Sequence, residues 1–245
     1  MQIVVTADYQ EMSQRAALLV AAHIIVKPDL VLGLATGSTP LGMYYELTQM
    51  QSSLRLDFSK VTTFNLDEYV GLSPDHPQSY HYFMYENFFS NVNFREENIN
   101  ILDGQASDVM AECEKYEKKM ADVGGIDVQI LGIGRNGHIG FNEPGEAFEP
   151  WTHLAGLKED TRKANARFFE DDLSKVPTHA LSVGMGTIMK AREIILLANT
   201  PDKAEAVFNA IGGPVHPQVP ASILQLHPKT TMIIASEAAQ DLGLD

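Results

Sequence analysis

Short β-branched or leucine-rich runs recur along the chain at Ile3–Val5, Leu30–Leu34, Val61–Leu66, Val128–Ile133, Ala180–Val183, Ile194–Ala198 and Met232–Ala235. Runs of this length, rich in leucine and β-branched residues and without polar alternation, predict strands buried on both faces. Between several of them the spacing turns helical. Glu11–Val26 carries Ala and Leu on one face, Val109–Met120 is charged with apolar repeats, and Lys203–Ile211 is similar. This alternation predicts an α/β protein with a mostly parallel sheet covered on both faces. Ligands of such sheets bind beyond the carboxyl ends of the strands, near a switch in strand order, so chemistry is sought just after each run. Gly71–Tyr80 and Gly134–Thr161 are long and irregular, which for connections of this length points to function.

Composition narrows the partners. The chain has 245 residues, 44% of them apolar, without a Gly/Ser/Pro linker or an internal repeat, and is expected to form a single domain over residues 1–245. Lys and Arg number 18 against 32 Asp and Glu, a net charge of −14. Such a surface repels a phosphate backbone or an anionic membrane, so no nucleic-acid or membrane partner is expected. An anionic small molecule must then find a local basic pocket. Cys113 is the only cysteine, which excludes an intrachain disulfide and fits a reducing cytoplasm. The start, Met1–Ala7, does not read as a signal peptide, and the longest apolar run, Ala16–Val26, is interrupted by His23 and too short to span a bilayer.

Three motifs carry candidate chemistry. Thr36-Gly37-Ser38-Thr39-Pro40 follows the strand Leu30–Leu34. It fits a turn whose amides and helix dipole hold a phosphate, and equally a plain helix start with Thr39 as N-cap and Pro40 at the first helical position. Asn65-Leu66-Asp67-Glu68-Tyr69 closes the third run, and its adjacent carboxylates point to opposite sides of an extended backbone. Asp67 among apolar neighbours could serve as a base; the competing reading is an acidic strand end, or a cap for the next turn. Gly132-Ile133-Gly134-Arg135-Asn136-Gly137-His138-Ile139-Gly140-Phe141-Asn142-Glu143-Pro144 literally contains G-x-G-x-x-G, yet its later glycines and Pro144 argue against the helix a dinucleotide site requires. What remains is a glycine-dense loop bearing Asn136, His138 and Glu143, a setting in which an imidazole can be tuned for proton transfer. Arg167, beside Phe168 and Phe169, and Lys203, at a helix start after the strand Ile194–Ala198, are the candidate cations, with solvated surface as the alternative. The eight histidines show no zinc-binding spacing, and no metal is expected.

Together these segments resemble the glucosamine-6-phosphate deaminase (glucosamine-6-phosphate isomerase) family over essentially the whole chain. The resemblance rests on Leu32–Pro40, Asn65–Tyr69, Gly137–Pro144, Ala166–Phe169 and Leu226–Lys229. It implies a Rossmann-like three-layer α/β/α sandwich with a lid at about 157–176. It also implies cofactor-independent conversion of D-glucosamine 6-phosphate to D-fructose 6-phosphate and ammonia. Asp67 is then the base that moves a proton between C2 and C1, and His138 the acid–base that opens the sugar ring. Asn136 and Glu143 flank that histidine. Some relatives carry Asp where Asn136 stands, so Asn136 is expected to orient the imidazole and Glu143 to be its ionic partner. Gly37, Ser38, Thr39, Arg167 and Lys203 become the phosphate grip. Pro150–Gly156 lacks the basic residues of allosteric hexameric relatives, which implies a non-allosteric monomer or homodimer. The alternatives are another phosphosugar isomerase or lactonase of this fold, or a sugar-phosphate sensor without turnover.

Overall fold

The computed structural model describes residues 1–243. Its strands are β1 (Gln2–Thr6), β2 (Val31–Leu34), β3 (Thr62–Asn65), β4 (Asp67–Tyr69), β5 (Ile99–Asn100), β6 (Val128–Gly132), β7 (His153–Gly156), β8 (His179–Ser182), β9 (Glu193–Ala198) and β10 (Thr230–Ala235). The helices are α1 (Tyr9–Val26), α2 (Leu41–Leu54), α3 (Tyr80–Asn87), α4 (Val109–Asp122), α5 (Glu159–Ala166), α6 (Met185–Ile188) and α7 (Ala204–Gly212). Seven strands form one sheet in the order β1-β10-β9-β6-β2-β3-β5, every pair parallel.

Why the run Ile194–Ala198 is apolar throughout is visible in the packing. Along β9, Ile195 and Leu197 enter the core under α1 and α2, while Ile194, Leu196 and Ala198 enter the core under α4 and α7. Both faces are buried, so both sets of alternating positions must be apolar. The result is the expected three-layer sandwich. On α1 the inward face is Met12, Ser13, Ala16, Ala17, Val20, Ala21 and Ile24, whereas Leu18 and Leu19 are exposed. Small residues win that face because α2 lies close: a Cβ on Gly42 would stand 2.2 Å from Ser13 Oγ.

Three expectations need correction. The run Ala180–Val183 contributes a strand, but not to the parallel sheet. As β8 it sits between β4 and β7 in a separate antiparallel sheet of three strands. The supposedly irregular stretch 134–161 contains β7 and the start of α5. Finally, Pro40 rather than Thr39 is the N-cap of α2, and no side chain caps that helix. The small sheet roofs the carboxyl end of the large one. Beneath it Tyr69, Phe141, Ala155, Leu157, Ala166, Phe169, Val176 and Ala180 form a core of their own, which seats the segment 157–176.

Candidate active site

The strand order reverses between β2 and β6, which are adjacent although β3–β5 intervene in sequence. A cleft of about 1130 Å³ opens there, lined by the segments that leave the carboxyl ends of β2, β3, β6 and β9, and by α5. Asp67, Asn136, His138, Gly37, Ser38, Thr39, Arg167 and Lys203 all line it. Glu143 lies just behind, reached through its hydrogen bonds.

Asp67 and Glu68 divide as their opposed directions require. Glu68 turns away from the cleft and accepts backbone N–H bonds from Tyr69, Tyr80 and His81 at 2.8, 2.9 and 2.8 Å, so it closes the amino end of α3 beside the Ser79 N-cap. The cap reading of this motif therefore holds for Glu68 alone. Asp67 is 6% exposed, and its Oδ1 has no hydrogen-bond partner. Burial first, and the neighbouring Glu68 carboxylate second, push the Asp67 carboxyl up to about 8, against a smaller downward pull from the Thr36 hydroxyl. Burial likewise raises Glu68 to about 7 in spite of its three amide donors. A carboxyl poised near neutrality in a cleft is suited to moving protons.

The loop after β6 brings the imidazole opposite. No helix follows the glycine pattern. Gly134 N–H donates to the His138 carbonyl at 3.0 Å, and Gly137, at φ +82°, makes the turn between them. A side chain at Gly134 would stand 2.2 Å from His138 Cε1, so the ring lies directly over this glycine. Gly140, at φ +57°, lets the loop pass between Ser182 and Asp67, whose Oδ2 would be only 3.4 Å from an added Cβ. Phe141 N–H then donates to Ser182 Oγ at 3.0 Å, which pins the loop to the small sheet.

His138 Nδ1 faces Glu143 Oε2 at 3.7 Å, an ion-pair distance beyond hydrogen-bond range. Burial would raise the Glu143 carboxyl, but His138, Thr161 and Asn136 together hold it below its ordinary value. Asn136 departs from expectation. Its amide donates to Glu143 Oε2 at 2.8 Å and its carbonyl accepts the His138 backbone N–H at 3.2 Å, with no bond to the ring. An amide that holds the carboxylate, rather than the imidazole, is what the short reach of Asn permits from this turn.

At the other end of the cleft, Lys203 Nζ donates to Thr39 Oγ1 at 2.7 Å, and Thr39 Oγ1 donates to Asn199 Oδ1 at 2.9 Å. Thr39 is thus occupied by these two partners. The glycine turn is fixed from behind by Tyr9, whose hydroxyl donates to the Ser38 carbonyl and accepts the Gly42 N–H. Burial pulls the Lys203 ammonium down to about 8; Asp202 opposes this, while Arg167 and Arg135 reinforce it. Arg167 is exposed, its guanidinium 4.7 Å from the centre of the Phe168 ring. Three cations thus converge on one end of a strongly acidic molecule, with Asp202, paired to Arg135, as the carboxylate among them.

Several lining residues were not foreseen. Arg135, paired with Asp202, and Thr36, Tyr69 and Tyr80 all face the cleft. Asn199 follows directly on β9 and could have been found by looking after each strand. The roles of Thr161 and Asn165 depend on how α5 docks, which no local pattern encodes. By contrast, His227 lies outside the cleft, where Nε2 bonds the Ala191 carbonyl at 2.8 Å, and Lys229 pairs with Glu193 at 2.5 Å. Among the described residues no group of three or more His, Cys, Asp or Glu side chains is arranged to hold a metal ion, and no helix is long and apolar enough to cross a membrane.

Comparison with known proteins agrees with this fold. The chain is 58% identical over 239 residues to a glucosamine-6-phosphate deaminase of Halothermothrix orenii, covering 98% of this chain and 99% of the relative. It is 57% identical over 242 residues to one of Clostridium acetobutylicum, covering 99% and 100%. Among solved structures, a monomeric glucosamine-6-phosphate deaminase superposes with a TM-score of 0.96 at 46% identity, over 98% of this chain and 99% of the other. The 6-phosphogluconolactonase of Trypanosoma brucei, at a TM-score of 0.77 and 19% identity over 99% and 98% of the two chains, shares the fold. With residues 7–233 also matching its family model, the chain belongs to the glucosamine-6-phosphate isomerase/6-phosphogluconolactonase family.

Proposed function

We propose that the chain catalyses the isomerising deamination of D-glucosamine 6-phosphate to D-fructose 6-phosphate and ammonia, in the cytoplasm, without a cofactor. The observation that carries this reading is the division of one cleft: a buried, near-neutral carboxyl at Asp67 with His138 and Glu143 at one end, and Lys203, Arg167 and the Gly37-Ser38-Thr39 turn at the other. The relatives named glucosamine-6-phosphate deaminase, more than half identical over nearly the whole chain, support the substrate.

The phosphate binds the cationic end, where the amides of the Gly37-Ser38-Thr39 turn complete its coordination and the Thr39 hydroxyl holds Lys203 in place. That remote binding energy fixes the sugar so that C2 meets Asp67. His138 takes the proton from the anomeric hydroxyl and returns one to the ring oxygen, opening the pyranose. The resulting carbonyl acidifies the C2 proton. Asp67 removes it to give an enolamine and delivers it to C1, and water then hydrolyses the C2 imine with release of ammonia. A substrate ammonium near Asp67 offsets the burial that keeps this carboxyl protonated. The segment 157–176 acts as the lid that excludes water. The enzyme works as a monomer or homodimer without activation by N-acetylglucosamine 6-phosphate.

The test is ammonia release from glucosamine 6-phosphate by the purified chain, against hydrolysis of 6-phosphogluconolactone. Ammonia from the amino sugar with an inert lactone is the expected result. Lactone hydrolysis without ammonia would make the chain a lactonase, and binding of both without turnover a sensor.

A further inference from the structure

Helix α5 carries two side chains that reach opposite walls of the cleft. Thr161, 7% exposed, donates its hydroxyl hydrogen to Glu143 Oε1, the oxygen of that carboxylate that does not face His138. Four residues on, and therefore on the same face of the helix, Asn165 donates to the Tyr69 hydroxyl at 2.9 Å. Tyr69 stands two residues after Asp67 on β4. The same short helix thus touches the partner of the imidazole and the strand of the carboxylate base.

Glu143 has few other restraints. Its Oε2 is held by Asn136 at 2.8 Å, and its distance of 3.7 Å from His138 Nδ1 means the imidazole does not fix it by a hydrogen bond. A carboxylate gripped by one oxygen can still rotate about its terminal torsion; gripped by both, it cannot. We propose that Thr161 is a positioning residue that locks Glu143 against His138 only when α5 is docked, with Asn165 registering the helix on Tyr69. Lid closure and completion of the acid–base pair are then one event, and an undocked lid leaves Glu143 free to turn away. This rests on the deaminase reading above, in which His138 opens the ring and residues 157–176 form the lid.

The experiment compares Thr161→Val, which keeps the shape and removes the hydroxyl, with Thr161→Ser, which keeps the hydroxyl, in steady-state ammonia release from glucosamine 6-phosphate. Thr161→Val is expected to lower kcat about 10- to 100-fold with KM within about twofold of the parent, because the geometry fails after the phosphate has bound. Thr161→Ser is expected to stay within about threefold of the parent in both. Asn165→Leu, which loses the Tyr69 bond, is expected to follow Thr161→Val at reduced size. Three results overturn the assignment: an unchanged kcat in Thr161→Val, a serine variant as impaired as the valine one, or a KM that rises in step with the fall in kcat. The last is what a residue serving only to fold the lid produces. A parent protein that releases no ammonia defeats the functional reading and this role with it. An active parent beside an equally active Thr161→Val defeats the positioning role alone.

Discussion

Asp67 and Glu68 are consecutive and both buried, yet one carboxyl faces the cleft with a bare oxygen while the other accepts three backbone N–H groups, that of Tyr69 and the two that open α3. Their substitutions should therefore separate chemistry from folding. Asp67→Asn is expected to lower kcat by about 10²–10⁴ with KM little changed, and to abolish exchange of the C2 proton with solvent. Exchange that survives would remove Asp67 as the base. Glu68→Gln can still accept two of its bonds but not all three. It should cost stability by about 1–3 kcal/mol, read by denaturant unfolding.

The raised Asp67 carboxyl also makes a stability statement. Its folded value of about 8 lies above the ordinary carboxylate range, so its stabilising contribution is complete below about pH 4 and is lost as pH rises through 8. Glu68, raised to about 7, has the same sign over a slightly lower window. Asp67→Asn removes the first of these terms. The variant should melt several degrees above the parent at pH 8, at about 2–4 °C per kcal/mol, with the difference shrinking towards pH 4. Melting curves across that range check it, and a constant difference contradicts a buried ionisation at this position.

Much of this architecture was legible in the sequence, and what was not has physical causes. Each of the seven runs became a strand; burial on both faces accounts for the apolarity of interior strands such as β9, whereas Ile3 and Val5 on the edge strand β1 stay exposed. The strands that escaped notice, β4, β5 and β7, are three, two and four residues long, and β4 is Asp-Glu-Tyr. Pairing with β8 makes it a strand, against its own composition. Helix α3, Tyr-His-Tyr-Phe-Met-Tyr-Glu-Asn, has weak helix formers, and its first turn is satisfied by a carboxylate twelve residues upstream. At the cleft, Lys203 could be suspected because a cation at a helix start opposes the dipole. Thr39 read equally well as a cap until Asn199 and Lys203, each at least 160 positions away, took both sides of its hydroxyl.

The cationic end predicts how affinity depends on phosphate. Lys203→Ala removes one charged donor, so kcat/KM for glucosamine 6-phosphate should fall about 10- to 100-fold, mainly through KM. Residual turnover of unphosphorylated glucosamine should be unaffected. An equal loss on both substrates would mean that Lys203 supports the fold rather than the phosphate.

The pH profile follows from the same groups. In the free enzyme, kcat/KM rises as Asp67 loses its proton near 8 and falls as Lys203 loses its own, also near 8. The result is a narrow maximum about pH 8. Lys203→Arg keeps a charge that does not titrate in this range, so its profile should rise and then stay level. A persisting alkaline fall in that variant would assign the limb to another group.

Gly134 offers a test of the imidazole that substitutes no catalytic side chain. Its φ is not positive, so alanine meets no backbone penalty, yet the added methyl would stand 2.2–2.4 Å from His138 Cε1, Nε2 and Nδ1. The ring must tilt away, and with it the 3.7 Å approach of Nδ1 to Glu143 is lost. Lys203 after β9, Arg167 after α5 and the Gly37-Ser38-Thr39 turn after β2 lie on other segments. Gly134→Ala should therefore bind fructose 6-phosphate with near-parent affinity while kcat falls by at least about tenfold, the usual size of a displaced proton-transfer group. A parent-like kcat would mean that the ring shifts without consequence, and that His138 does not act from the position seen over this glycine.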